Sequence, residues 1–293
     1  MESPYSIAQL TGYLECLSLP SSYAKYIQSP ESFPKTETAL TVLFQCQITR
    51  FPYENLSVHA STTGDPPPLA AHALYEKMLG TSGGPTGRGG YCLEVNLLFY
   101  YVLLGLGFSV YVTGVRNRDR QDGVPVGNYR GWIHIVNIVQ LPTGSRYLLD
   151  AAFGGDGTQE VRLIRDRLPL QTRSDQPYWI YQYRNGADMD WKALYCFSEL
   201  EWFPEDFDVI NRYATWDALG RGNVVVVKFM RNDGNTNMDP DPQPTESEVQ
   251  IVGKLMLVNG ELKQNLGGRT QVIERFDESR RTEVLRERFS MQI

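Results

Sequence analysis

Cys92 stands in the stretch GGPTGRGGYCLEVN (residues 83–96), with Arg88, Gly89, Gly90 and Tyr91 before it and a run of helix formers after it. A thiol in the first turn of a helix lies beside unpaired backbone N–H groups and the positive end of the helix dipole. Both favour the thiolate, which is the nucleophilic form. The glycines ahead of it permit tight, positive-φ turns and close approach of a substrate to the backbone. Arg88 is placed to support the thiolate or to brace the loop. GGPTGRGG is not a Walker A loop, since it lacks the Lys-Ser/Thr pair that reaches phosphate and magnesium; a purely structural glycine loop is the competing reading. Cys16, Cys46 and Cys196 form no Cys-x-x-Cys element or zinc knuckle, so they read as small buried hydrophobes and no metal site is expected.

A thiol nucleophile needs a base, and the chain has 3 histidines. His72 falls in a predicted surface helix, and His59, at the end of FPYENLSVH, suits a structural hydrogen bond. His134 sits inside the strand IHIVNIV, where an apolar residue is the ordinary occupant. The following strand supplies its partner. Leu141 and Ser145 flank Pro-Thr-Gly, a three-residue hairpin loop with glycine at its left-handed last position. Pairing 141 with 145 sets Ala152 opposite His134 and Val136 opposite Asp150. His134 and Asp150 then become diagonal neighbours on one face, ~7–8 Å apart at the backbone; a slip by one residue would separate them. Asp150, inside the apolar run YLLDAAF, requires a partner because an unpaired buried carboxylate is costly. Cys92, His134 and Asp150 thus compose a nucleophile, a base and an orienting acid.

The elements that must carry these residues are legible from periodicity. SIAQLTGYLECLS (6–18) sets Ile7, Leu10, Leu14 and Leu17 on one helical face, and TETALTVLFQCQITR (36–50) does the same with Leu40, Leu43 and Phe44. A third helix follows three prolines in LAAHALYEKMLG and ends at Gly80, and CLEVNLLFYYVLLG (92–105) is apolar nearly all round, as the buried centre of a helical unit is. After Gly107 the texture turns to alternation, with SVYVTGV, GWIHIVNIVQL, RYLLDAAF, PYWIYQYR and WKALYCFS predicting an antiparallel barrel or sandwich. FPEDFDVINRYA predicts a short helix, VVVVKFM, EVQIVGKLMLV and ELKQNL predict strands with an Asn259-Gly260 hairpin, and a charged helix closes the chain at about 277–290. NDGNTNMDPDPQPTES (232–247) reads as a surface loop. With 293 residues, 42% apolar and 12% aromatic, the chain is a globular protein of two or three units. A net charge of −6 and a pI near 5.2 argue against nucleic acid as a partner. No apolar run approaches the roughly 20 residues that cross a bilayer, and MESPYSIAQL has no basic start; a cytoplasmic protein is expected.

RGGYCLEVN resembles the RGG-x-C-x-[EQ]-x-N signature of the arylamine N-acetyltransferases, and FPYENLSVH resembles that family's P-F-E-N-L-x-x-H segment. HIVNIV and YLLDAAFG occur in the order and approximate spacing of its histidine and aspartate strands. The resemblance covers most of residues 5–230. It implies an α+β fold of three consecutive units: an N-terminal helical bundle carrying the nucleophile (1–107), a central antiparallel β-barrel carrying His and Asp (108–210) and a C-terminal α/β lid (211–293).

The same resemblance implies a monomeric enzyme of xenobiotic metabolism. Cys92 takes an acyl group, acetyl in the first instance, from acyl-CoA and passes it to an arylamine or arylhydrazine in a ping-pong cycle. Tyr53 and Phe153 fall at positions that line the acceptor pocket, and Arg130 and Gly131 at the segment that touches coenzyme A. Arg130 replaces a small hydroxyl residue and Ala152 a glycine, and an arginine near the acyl end suits a donor with a carboxylate. N-malonyl transfer from malonyl-CoA is therefore the alternative. A papain-like or transglutaminase-like thiol amidase uses the same triad but a different local signature, and a non-catalytic binder of aromatic ligands needs none of the three residues.

Overall fold

The structure, a computed structural model, describes residues 2–81, 86–121, 123–153, 162–163, 178–184, 188–232 and 249–293. The expected loop at 232–247 lies, beyond Asn232, outside the described residues, as do Gly83 and Gly84.

Among the described residues four α-helices precede Cys92: α1 (Ile7–Cys16), α2 (Glu37–Arg50), α3 (Leu56–Ala60) and α4 (Ala71–Leu79). Ser6 caps α1 with the reciprocal Gln9 contact, and Thr36 caps α2 by accepting from the Ala39 N–H, which is why both helices start where the apolar periodicity starts. Gly80, at φ 77°, ends α4. Helix α5 (Cys92–Gly105) is buried from Leu93 to Leu103, as its all-round apolar sequence requires, and joins α1, α2 and α4 in one core.

Six strands form the central sheet: β2 (Ser109–Gln121), β3 (Val124–Gln140), β4 (Arg146–Leu149), β5 (Arg162–Leu163), β6 (Trp179–Tyr183) and β7 (Lys192–Phe197), ordered β5-β4-β3-β2-β7-β6. All of its pairings are antiparallel, as alternation in the sequence predicts. The expectation of a barrel is corrected: among the described residues the edge strands β5 and β6 do not meet, and the sheet is open. Alternation fixes which residues face a core but carries no information on closure. Here α5 packs on β2 and β3 and covers apolar surface that a closing barrel would have had to bury against its own strands. Three register shifts between Val115 and Asp119 bend the long β2–β3 ribbon where it reaches the site.

Helix α6 (Phe207–Arg221) leads to the second sheet, where β8 (Val225–Arg231), β9 (Ile251–Val258), β10 (Glu261–Leu266) and β11 (Arg269–Arg275) form an antiparallel meander, and α7 (Arg281–Phe289) packs beneath it. Asn259, at φ 54°, makes the expected hairpin between β9 and β10. The fifth strand comes from the other end of the chain: β1 (Tyr53–Glu54) pairs with Val226 and Val227. None of the described helices is long and apolar enough to cross a membrane.

The glycine loop holds these pieces together at Cys92. Tyr53 forms an isolated bridge with Gly90, the Glu54 N–H donates to the Gly90 carbonyl at 2.9 Å, and the Gly90 N–H donates to the Pro52 carbonyl at 3.3 Å. A Cβ on Gly89 would stand 1.8 Å from the Pro52 oxygen, and one on Gly87 (φ +72°) 1.9 Å from the Ser290 oxygen. The loop therefore needs glycine chiefly because it is sandwiched between two other stretches of this chain. Gly89→Ala should destabilise the protein by about 1–3 kcal/mol through forced separation of these segments, read as a fall in Tm. Gly220→Ala, whose new Cβ meets nothing within 4 Å, should leave Tm unchanged or raised; equal Tm values for the two variants would refute this account of the loop.

Candidate active site

Cys92 is the first residue of α5 and half-buried. Its turn is held by the Glu94 carboxylate, which accepts from the Tyr91 N–H at 3.1 Å. Behind it lies a buried charge cluster in which Lys77 bridges Glu54 at 3.2 Å and Glu94 at 2.8 Å, and Arg88 bridges Glu54 at 2.9 Å. Burial works against the Glu54 carboxylate, but Lys77 and Arg88 outweigh it and lower its pKa; burial and the Glu54 charge raise that of Glu94 despite Lys77. Arg88 accordingly braces the loop. Tyr91 adds a further anchor, its hydroxyl donating to the side-chain Oδ1 of Asn211 on α6. The other cysteines are as expected: burial pushes Cys46 and Cys196 up to about 11 and raises Cys16, which leaves them protonated.

The hairpin has the register the sequence implies, with Asn137 opposite Leu149 and the Leu141 N–H donating to the Ser145 carbonyl at 2.9 Å. It carries His134 and Asp150 together, Nε2 to Oδ2 at 2.8 Å, with side chains 1% and 0% exposed. Cys92 Sγ lies 4.0 Å from the carbonyl of Ile133, the neighbour of His134, both side chains line one cavity, and with Nε2 on Asp150 the ring nitrogen left to face sulfur is Nδ1. Burial would lower the His134 pKa, but the Asp150 carboxylate and the Cys92 sulfur overcome it and raise the value to about 10. The imidazolium is therefore the form at neutral pH. Phe153 and Tyr195 wall the ring at 5.1 and 5.9 Å between centroids.

Two asparagines join this arrangement without having been singled out in the sequence. Asn96, one turn beyond Cys92, donates from Nδ2 to the Cys92 carbonyl (3.1 Å) and to Asp150 Oδ1 (3.4 Å), and accepts the Ala151 N–H at 2.9 Å. Asn137 donates to the Asn96 backbone carbonyl at 3.2 Å. The signal for both was a polar residue within an apolar helix or strand, the same signal that singled out His134. The remaining histidines are placed as expected: His59 bonds Asn55 and the Asn223 carbonyl, and His72 is exposed.

Cys92 and His134 open on a cavity of about 330 Å³ whose walls include Tyr53, Asn117, Arg120, Arg130 and Phe153, and an adjoining space of about 320 Å³ runs from Cys92 toward α6. Tyr53, Phe153 and Arg130 are thus brought together with Cys92. Gly131 is exposed and outside both linings. Arg130 does not present a free fork to the acyl end: its guanidinium holds Asp217 through two bonds (2.6 and 3.1 Å) and Tyr213 Oη at 3.1 Å. Arg221 binds both Asp217 (2.9 Å) and Asp119 (3.1 Å), extending the network. No group of histidine, cysteine and carboxylate side chains suited to a metal occurs among the described residues.

A family model described as N-acetyltransferase matches residues 37–220. The N-malonyltransferase FDB2 of Fusarium pseudograminearum (strain CS3096) is 25% identical across 99% of this chain and 90% of its own length. Arylamine N-acetyltransferase 1 of Oryctolagus cuniculus is 29% identical across 60% of this chain and 64% of its own. Among solved structures, the Mycobacterium marinum arylamine N-acetyltransferase in complex with CoA superposes with a TM-score of 0.67 at 23% identity, covering 96% of this chain and 92% of that one. With more than half of its residues matched by the family model, the chain belongs to the arylamine N-acetyltransferase family and is an acyltransferase.

Proposed function

We propose that Cys92 is the nucleophile that accepts an acyl group from acyl-CoA and delivers it to an aromatic amine or hydrazine, with His134 and Asp150 completing the triad. The observation that carries this reading is His134 sharing a cavity with Cys92 and fixed from behind by buried Asp150 at 2.8 Å, with the ring's pKa raised by both neighbours. The attacking form of the sulfur is the thiolate, whose charge the adjacent imidazolium stabilises. Sulfur attacks the thioester carbonyl, its electrons moving onto oxygen. Collapse breaks the bond to coenzyme A, whose thiolate leaves with the proton of His134. The amine then attacks the acyl-cysteine, gives a proton to neutral His134 and restores the thiolate. The Cys92 backbone N–H, at the start of α5, is a donor for the oxyanion. Asp150 keeps the ring oriented and stabilises its charge.

In this reading residues 1–107 carry the nucleophile, 108–210 the base and acid, and 211–293 act as the lid that keeps water from the thioester. The lid role is supported by α6, whose Ala214, Asp217, Ala218 and Arg221 wall the cavity beside Cys92. Coenzyme A as carrier is supported by the family and by its presence in the Mycobacterium marinum structure. Acetyl is the first donor to test. Malonyl is favoured by one specific observation, that a relative named for malonyl transfer aligns over 99% of this chain. Arg130 lends it less support than its position in the sequence implied, since Asp217 occupies its fork.

Intact-protein mass spectrometry after incubation with acetyl-CoA or malonyl-CoA should show one acyl group on Cys92, with the better donor giving the faster adduct. Cys92→Ser should show none and lose more than about 99% of turnover, because a hydroxyl with a pKa far above 7 is not held as an anion by one imidazolium. An adduct in Cys92→Ser would assign the nucleophile elsewhere.

The pH behaviour follows from the raised His134 value. The His134–Asp150 ion pair, and the stability it gains from the protonated ring, is fully present just below the ordinary histidine value of 6.5 and is lost as pH rises through about 10. Imidazole NMR should therefore show the protonated ring at pH 8 in the wild type. Asp150→Asn should move the titration down toward neutrality and cut turnover by roughly 100- to 10,000-fold. A neutral ring in wild-type enzyme at pH 8 would contradict the ion pair.

A further inference from the structure

One polar side chain in the cavity has no role in the chemistry described above. Asn117, on β2, lines both the space that holds Cys92 and His134 and the adjoining space toward α6. Its Oδ1 is buried and accepts no hydrogen bond. A buried carbonyl without a donor is unfavourable by itself, and such an atom beside a nucleophile indicates that a ligand supplies the donor. The carboxylates on the cavity wall are engaged: Asp217 by Arg130 and Arg221, and Asp119 by Arg221. The neighbouring charged side chains at the mouth, Arg118, Arg120, Arg130 and Arg221, offer N–H groups and no lone pair. Asn117 is thus an acceptor left for an N–H ligand on the wall that the acyl-cysteine faces.

Resting on the acyl-cysteine reading, we infer that Asn117 is an acceptor-binding and specificity-determining residue whose Oδ1 takes one N–H of the incoming amine. A primary arylamine or a hydrazine has two hydrogens on the attacking nitrogen. One is the proton that passes to neutral His134 as the N–C bond forms and the C–S bond breaks; the other stays on the product amide nitrogen and is the one Asn117 binds. That contact aims the nitrogen lone pair at the thioester carbon. It also strengthens as the nitrogen becomes cationic in the tetrahedral intermediate, so it acts on the rate of attack and not only on binding. A secondary N-alkyl arylamine has one hydrogen only and must leave Oδ1 unsatisfied or His134 without its proton. The site is thereby built for primary amines and hydrazines.

The two half-reactions separate this from other roles. The enzyme is first acylated on Cys92 and freed of donor, then mixed with aniline-type acceptors in a stopped-flow instrument. Asn117→Leu should become acylated at a rate within about twofold of wild type, while its deacylation by primary arylamine falls roughly 10- to 100-fold. The preference for aniline over N-methylaniline should shrink by a similar factor. Asn117→Asp, which keeps the oxygen acceptor at the same place, should retain most of the amine reactivity and carries the comparison if the leucine variant does not fold. Wild-type deacylation in Asn117→Leu overturns the inference. Equal losses in both half-reactions also overturn it, by assigning Oδ1 to the pantetheine amides of the donor or to structure. Absence of any acyl adduct on wild-type Cys92 would instead refute the underlying reading, an outcome visible before any amine is added.

Discussion

Asp150 is fully buried, and the arrangement around Cys92 follows from what that carboxylate requires. Charge withdrawn from water is tolerable only with a counter-charge and with donors for its remaining lone pairs. The counter-charge is His134 from β3, and the donors are Asn96 from α5 and the Ala152 N–H of its own turn, at 3.3 Å. One carboxylate therefore ties a strand, a turn and the nucleophile's helix to a common point. Because Asn96 also grips the Cys92 carbonyl, the sulfur cannot shift along the helix axis without disturbing the bonds that satisfy Asp150. The rigidity a thiol–imidazole pair needs is supplied by electrostatic necessity rather than by a dedicated clamp.

The same logic shows which parts were readable in advance. His134, Asp150 and their hairpin register were legible because a polar residue in an apolar strand and a Pro-Thr-Gly turn are local signals, and the pairing of Asn137 with Leu149 obeys them. Helix α5 was legible from its apolar run, yet Glu94 and Asn96 within it carried the same kind of signal as His134 and belong to the site's scaffold. Other features have no local trace. A strand of two residues such as β1 has no periodicity to read, so its union with β8 across more than half the chain is invisible in sequence. The partner of Arg130 lies 87 residues away, and nothing near Arg130 announces Asp217. Closure of the sheet failed for a similar reason: alternation reports faces, while open or closed edges depend on what packs over them.

The glycine loop connects these two levels. Close approach of a substrate was one use the sequence allowed for its glycines, but the atoms within 3 Å of a Cβ at Gly87 and Gly89 belong to Ser290, Met291 and Pro52. The loop is thus the crossing point of the segment before β1, the nucleophile's helix and the C-terminal tail, where the Gln292 N–H donates to the Thr86 carbonyl at 2.8 Å. A side chain at either glycine would separate backbones that now exchange hydrogen bonds. Placing Cys92 at this crossing fixes its position relative to both sheets at once, which a helix packed against only one of them would not achieve.

Charge in the cavity is organised on the opposite principle from that of the triad. There, one anion and one cation are sealed from water; at the mouth, Arg130 and Arg221 share Asp217 and Asp119 in a partly exposed network. Exposed pairs such as Arg221–Asp119, 52% exposed on both sides, are weakly stabilising and exchange partners readily. Arg130–Asp217 lies between these extremes, 18% exposed on both sides and joined by two bonds, so it holds its arginine more firmly than Arg221–Asp119 does. Around Cys92 a sealed pair is thus ringed by a graded rim, firm at Arg130 and looser toward Arg221.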